Sequence, residues 1–379
     1  LKKINLRSVL ASLASPKLTV ACLILLLIVV IWGTVYQVDY GLYASQQKFF
    51  NSLIAVLFGF LPFPGTALLF WVLFLNVLSS LFFRIPLKWS NTGNILTHAG
   101  VLIFFVGSFF TTYFSQESMI RLREGEETHH SVSSRNWELA VWEAGTGRRI
   151  VYAVDTDRLD AGDRIRIEAL GINIRIIHYF KNCIPEMANE NIAGEKPVNF
   201  SGIQALKPEP LRKEPGNNRA GLIGDIDTSR KMSARVLLYS GDRAPTRIRI
   251  GERQFRFSLR NKRFVLPFSL RLVDFRKIEY PGSSIVKSYE SRIGIRVGEL
   301  SREATISMNK PLRYKDYTLY QSSYFIAGDG TEYSFLAVVK NFGKVFPYIA
   351  STIIFLGLCI HFILMLVKRK RKVKESCRS

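Results

Sequence analysis

The sequence predicts an integral membrane α-helical bundle of four spans that carries one large extracytoplasmic, antiparallel all-β domain. The first sign is a conflict in composition. The chain is 48% hydrophobic yet carries a net charge of +22, a pairing that suits one soluble globule poorly and a segregated chain well. Segregation is what the sequence displays: 28 of the 30 acidic residues lie within residues 115–344, and the long apolar runs lie outside it. The second sign is the length of those runs, and the third is a strict two-residue alternation inside the charged segment.

The first span is read over residues 18–36, an uncharged run of 19 residues after Lys2, Lys3, Arg7 and Lys17. About 20 residues at 1.5 Å each cross the hydrocarbon layer. The run is long and lacks a small-x-small cleavage site, so it reads as a retained anchor and not a cleaved secretory signal. Spans two, three and four follow at 66–83, 95–114 and 345–367. The apolar piece at 49–61 is too short to cross, and the outer loop 37–65 is therefore expected to hold an interfacial helix. Cations in residues 1–17, Arg84 and Lys88 in the loop 84–94, and the basic tail 368–379 all fall on one side for four spans. That places both termini in the cytoplasm and residues 115–344 outside.

Within 115–344, Arg164-Ile-Arg-Ile167, Asn173-Ile-Arg-Ile-Ile177, Arg247-Ile-Arg-Ile250 and Ser269-Leu-Arg-Leu272 alternate polar with apolar residues. Such alternation is the mark of strands with one wet face and one buried face. Turn signals separate them at Ala161-Gly-Asp163, Ser240-Gly-Asp242 and Tyr280-Pro-Gly282. The expectation is a sandwich or barrel with one apolar core, or two lobes divided near 184–228, a stretch read as a long loop. The outward arginines suit a solvated strand face, or a face meeting anionic lipid headgroups or an acidic partner. No nucleic-acid recognition module is present. Cys22, Cys183, Cys359 and Cys377 are too scattered for an intradomain disulfide or a C-x-x-C pair.

Chemistry is left to five histidines, since no Ser-His-Asp set, H-E-x-x-H or phosphate loop occurs and no catalytic residue is assigned. His98 opens the third span and His361 sits in the fourth. Ionisable groups at membrane depth usually face a bundle interior. Each imidazole is read as a structural group hydrogen-bonded to a neighbouring helix or as a haem-iron ligand. Both lie in the inner half of the bilayer, within one or two helical turns of each other in depth. His129 and His130 are read as surface-loop residues and His178 as a half-buried strand residue.

Several segments resemble the ResB (CcsB-type) cytochrome c biogenesis proteins. They are Leu13-Ala-Ser-Pro-Lys17, Leu75-Asn-Val-Leu78 with Arg84-Ile-Pro86, and Thr97-His-Ala-Gly-Val101. In the charged segment they are Leu270-Arg-Leu-Val-Asp-Phe-Arg276, Asn309-Lys-Pro-Leu-Arg-Tyr314 and Tyr320-Gln-Ser-Ser-Tyr324. The resemblance implies a non-autonomous subunit of cytochrome c haem lyase in a cell inner membrane or a thylakoid-type membrane. It would work with a ResC (CcsA-type) membrane partner and present apocytochrome c for haem attachment. It further implies that His98 is an axial ligand of the iron of haem b, the second ligand coming from the partner. His361 is a further candidate haem contact that the resemblance does not match to a ligand. The competing reading is a non-haem membrane scaffold or chaperone for a secreted polypeptide. A transporter component is disfavoured by the lack of repeats and of charged midplane residues.

Overall fold

The computed structural model describes residues 12–145, 150–187, 199–228 and 233–376. Lys2, Lys3, Arg7, Cys377 and the middle of the 184–228 stretch lie outside the described residues. The chain divides into two compact units, Leu1–Gln116 with Lys340–Ser379, and Glu117–Val339.

The first unit contains four helices long and apolar enough to cross a membrane: Pro16–Tyr40, Thr66–Arg84, Trp89–Phe114 and Phe342–Lys370. Their regular α-helical parts are α1 (Pro16–Tyr40), α2 (Thr66–Ser79), α3 (Thr92–Phe114) and α4 (Phe346–Ser376). Pro16 starts α1 at a position where its missing N–H costs nothing, and Gly41, at φ 86°, ends it. A π-helical turn, Ser80–Arg84, extends α2.

A polar knot ties α2 to the start of α1. The buried Asn76 amide donates to the Leu13 carbonyl at 2.6 Å and to the Ser15 carbonyl at 3.0 Å. It accepts from the Thr19 hydroxyl at 2.7 Å. Ser80 and Arg84 both donate to the Ala14 carbonyl. Two of the segments quoted for the family resemblance, around Ala14 and around Asn76, are thus one structural feature. In an apolar medium each of those carbonyls needs such a donor.

Helices α3 and α4 run antiparallel along a seam of small residues spaced by seven. Gly93, Gly100 and Gly107 face Gly357, Ala350 and the Gly343–Phe346 turn. A Cβ on Gly93 would lie 2.4 Å from the His361 nitrogen, one on Gly100 2.6 Å from Ile354 Cγ1, and one on Gly107 2.3 Å from Phe346 Cβ. The backbones meet because nothing larger than hydrogen stands between them, the usual device where lipid offers no hydrophobic drive.

Residues 49–61 depart from the expected interfacial helix. A π-helical turn, Gln46–Phe50, is followed by a hairpin of β1 (Ile54–Leu57) and β2 (Leu61–Pro64). Pro62 and Pro64 lack the N–H a helix needs. Phe58 and Gly59 take positive φ (53° and 83°) to reverse the chain. The alternation of β1 shows only in its burial, Ala55 and Leu57 in and Ile54 and Val56 out, because both its faces are apolar.

The second unit is antiparallel β, as the alternation requires. Two strands run the length of it, β4 (Glu127–Glu143) and β13 (Arg253–Glu279). Their paired halves Glu138–Glu143 and Phe255–Arg260, flanked by β5 (Tyr152–Asp155) and β12 (Thr246–Ile250), close one core against a four-stranded sheet. That sheet is β6 (Arg164–Ile167), β7 (Ile172–Phe180), β10 (Gly221–Thr228) and β11 (Ser233–Tyr239), in the order β11-β10-β7-β6. Leu139, Val141, Ile174, Leu222 and Phe257 are fully buried there. The other half of β13 joins β3 (Gln116–Arg123) and the strands β14 (Val286–Val297), β15 (Leu300–Ser307), β16 (Leu312–Tyr314), β17 (Tyr317–Ile326) and β18 (Glu332–Lys340) around a second core. A bridge between Ser307 and Lys310 brings the end of β15 to the turn before β16, so this sheet curls back on itself. There are two lobes, but the division falls along β4 and β13 and not near 184–228. That stretch is also not a loop throughout. It contains a hairpin of β8 (Cys183–Met187) and β9 (Ile203–Pro208), then β10.

The arginine alternation keeps its expected faces. Ile165 and Ile167 are buried while Arg164 and Arg166 point out. One register row pairs charges across three strands: Arg175 faces Asp225 and Asp225 faces Arg235, at 2.7 Å and 3.0 Å. The Arg235 hydrogen bond, aided by Arg175 and opposed by burial, holds the Asp225 carboxyl below the usual carboxylate range. A depressed carboxylate contributes stability above its unfolded pKa of about 3.9, and loses it as pH falls through the folded value. Asp225→Asn is expected to destabilise the chain by about 1–3 kcal/mol at pH 7. The gap to the unmodified chain should shrink below about pH 4, and denaturation curves at pH 7, 5 and 3 check this. A gap that does not change with pH would contradict it.

Candidate functional site

His98 lies in the second turn of α3, five residues after the seam glycine Gly93. Five residues at 100° each turn it about 140° away from the α4 contact. The same face of α3 presents Phe105 and Phe109 further along, and these pack against Phe70, Trp71 and Phe74 of α2. His98 is half-buried. Its Nδ1 is 2.9 Å from the Asn94 carbonyl oxygen, one turn back. A carbonyl only accepts, so Nδ1 carries the proton and the ring presents the lone pair of Nε2 when neutral. An N–H fixed on a backbone carbonyl is the usual way to orient an imidazole for a metal. The residues present therefore fit one axial position of a haem iron. Among the described residues no group of three or more His, Cys, Asp or Glu forms a protein-only metal site.

His361 does not join His98. Its backbone nitrogen and Cα lie against Gly93, so it is level with that residue, about 7.5 Å along the axis from His98. The depths agree with the sequence expectation, but the faces differ. The His361 ring is exposed, edge-on to Phe362 at 5.8 Å.

The other histidines are not surface-loop residues. His129 and His130 lie on β4 with their rings edge to face at 5.5 Å, and burial first, then the Arg263 charge, hold the His130 pKa below its ordinary value. His178 on β7 is exposed, not half-buried, and stacks on Phe180 with centroids 5.7 Å apart. Cys22, Cys183 and Cys359 are free thiols. Burial pushes Cys183 up to about 12, so it stays protonated and unreactive.

Two features escaped the sequence reading. One is Asn94, whose role is played by its backbone carbonyl and so leaves no side-chain signal. The other is the glycine seam, whose seven-residue spacing at 93, 100 and 107 was visible in the sequence.

The model of the ResB-like family matches residues 220–344, from β10 to the turn before α4. Protein NrfI of Wolinella succinogenes is 36% identical over 95 residues, which is 24% of this chain. The match spans 10% of that relative's length. The family match takes in the segments at 270–276, 309–314 and 320–324 and ends far from His98 in sequence. Over residues 220–344 the chain is similar to the ResB-like family.

Proposed function

We propose that this chain is a membrane subunit of a cytochrome c assembly complex that holds haem b for delivery to apocytochrome c. The four apolar helices insert in a cell inner membrane or a thylakoid-type membrane, with the β unit on the extracytoplasmic side. His98 supplies one axial ligand through Nε2, and a ResC (CcsA-type) partner supplies the second. The observation that carries this reading is the Nδ1–H bond to the Asn94 carbonyl, which fixes the tautomer and turns the lone pair outward. The match to the ResB-like family over 220–344 supports a role in cytochrome c biogenesis. His361 keeps a supporting part, at the inner end of the α3–α4 seam, and does not bind iron. Haem, as the cargo, brings the vinyl groups that thioether attachment consumes. This chain's contribution is to hold the ring and to present Nε2 of His98 to it.

The test is copurification of the chain with its membrane partner, followed by an optical spectrum. Bands of a six-coordinate, imidazole-ligated haem are expected. A stable but colourless complex that still supports cytochrome c assembly would reject the haem assignment and favour a scaffold.

A further inference from the structure

A cavity in the first unit lies between the start of α2, the end of α3 and the π-helical turn Gln46–Phe50, with a volume of about 430 Å³. That is ample for a small-molecule site. Phe70, Trp71, Phe105 and Phe109 wall it. Trp71 and Phe109 lie 4.4 Å apart at 32°, and Phe70 meets Phe105 edge-on at 5.6 Å. Among the described residues, no charged residue and no histidine lines it.

Its polar lining is uncharged: Asn51 contributes an amide, and Thr66, Ser108, Thr112 and Tyr113 contribute hydroxyls. The Thr66 hydroxyl is buried and has no hydrogen-bond partner. The first turn of α2 adds backbone donors. Gly65 caps it without a side-chain hydrogen bond, and the first bond of the helix is Leu69 N–H to the Gly65 carbonyl. The N–H groups of Thr66 and Ala67, both lining the cavity, therefore have no acceptor within the helix.

These features narrow the occupant. A lipid phosphate or a haem propionate would bring charge into a site with no counter-charge. An acyl chain would leave the donors unanswered. A flat conjugated ring stacks on aromatic walls, and carbonyl oxygens on its edge answer backbone N–H and hydroxyl donors. We propose that this cavity binds a neutral planar ring bearing carbonyl oxygens, of the isoprenoid quinone class. The ring lies between the aromatic walls and its carbonyl edge meets the first turn of α2. The tail leaves along the lipid-facing side. This site is independent of His98 and of any haem bound there.

The experiment titrates the full chain in detergent with 2-methyl-1,4-naphthoquinone and follows tryptophan emission. Quenching is expected to saturate, and Trp71→Phe should remove the saturable part. Ala67→Leu fills the cavity and should weaken binding by about tenfold or more. Ser108→Ala is the milder variant, expected to weaken it by about fivefold through loss of one hydrogen bond. Unchanged circular dichroism and elution confirm that each variant is folded. Quenching that rises linearly in the unmodified chain would overturn the proposal, as would identical saturation in folded Ala67→Leu or Ser108→Ala. A copurified phospholipid that the quinone fails to displace, together with linear quenching, would assign the cavity to lipid instead.

Discussion

Replacing Gly93 by leucine is expected to force α3 and α4 apart and to cost the first unit about 3 kcal/mol, the upper part of the range for overpacking. The reason is what a side chain would meet. A Cβ at Gly93 falls 2.4 Å from the His361 nitrogen, 2.6 Å from the Gly357 carbonyl oxygen and 2.7 Å from the His361 Cα. All three are backbone atoms of a helix, and they cannot rotate away as a side-chain tip can. The seam must open at its Gly93 end, with loss of close contact toward Gly100. Gly294→Ala is the comparison, because a Cβ there meets nothing nearer than Val273 Cγ2 at 3.7 Å. That change should stay within about 0.5 kcal/mol. Thermal unfolding of both variants in detergent checks the pair. Equal melting of Gly93→Leu and the unmodified chain would mean that the two backbones are not in contact.

Asn76→Leu is the second change with a large expected effect. It removes two hydrogen bonds to the Leu13 and Ser15 carbonyls and one from the Thr19 hydroxyl. Hydrogen bonds between helices in a bilayer are worth roughly 0.6–1.7 kcal/mol each, so the knot loses about 2–4 kcal/mol. The Ser15 carbonyl keeps a partner in the Leu18 N–H at 3.1 Å, which moderates the loss. Asn76→Asp should be at least as damaging as leucine, since a buried carboxylate oxygen would then face the Leu13 and Ser15 carbonyls in place of their donor. Proteolysis near the start of α1, compared across the three chains, reads this directly. Equal cleavage rates would show that α1 is anchored elsewhere.

The β unit was legible wherever Arg and Ile alternate, because one parity must be wet and the other dry. It was illegible at β10, where Gly221, Gly224 and Asp225 interrupt the pattern. Gly224 sits close to Ile174 and the Arg175 carbonyl, and Asp225 is carried by two cross-strand arginines. Those partners are 50 residues before and 10 residues after it in sequence, so no local window contains the reason the strand forms. The hairpin at 54–64 was missed for the opposite cause, since an apolar run with two apolar faces shows neither period. For the site, sequence alone brought His98 and His361 to similar depths. It did not place them on different faces, because that depends on which side of α3 carries the glycines that admit α4. The tautomer of His98 depends on a side-chain rotamer that no spacing encodes.

The seam and the knot give His98 a fixed frame. Gly93, Gly100 and Gly107 bind one face of α3 to α4, and Phe105 and Phe109 bind the opposite side to α2. His98 is therefore mounted on a helix held by contacts on two sides.

The most direct measurement is the optical spectrum and haem content of the His98→Ala chain assembled with its membrane partner. Haem occupancy is expected to fall about tenfold or more, with the residual haem shifted toward five-coordinate. Added imidazole should occupy the vacated position and restore the six-coordinate bands. Full haem content with an unchanged six-coordinate spectrum in His98→Ala would contradict the account, because the iron would then take its ligands from elsewhere.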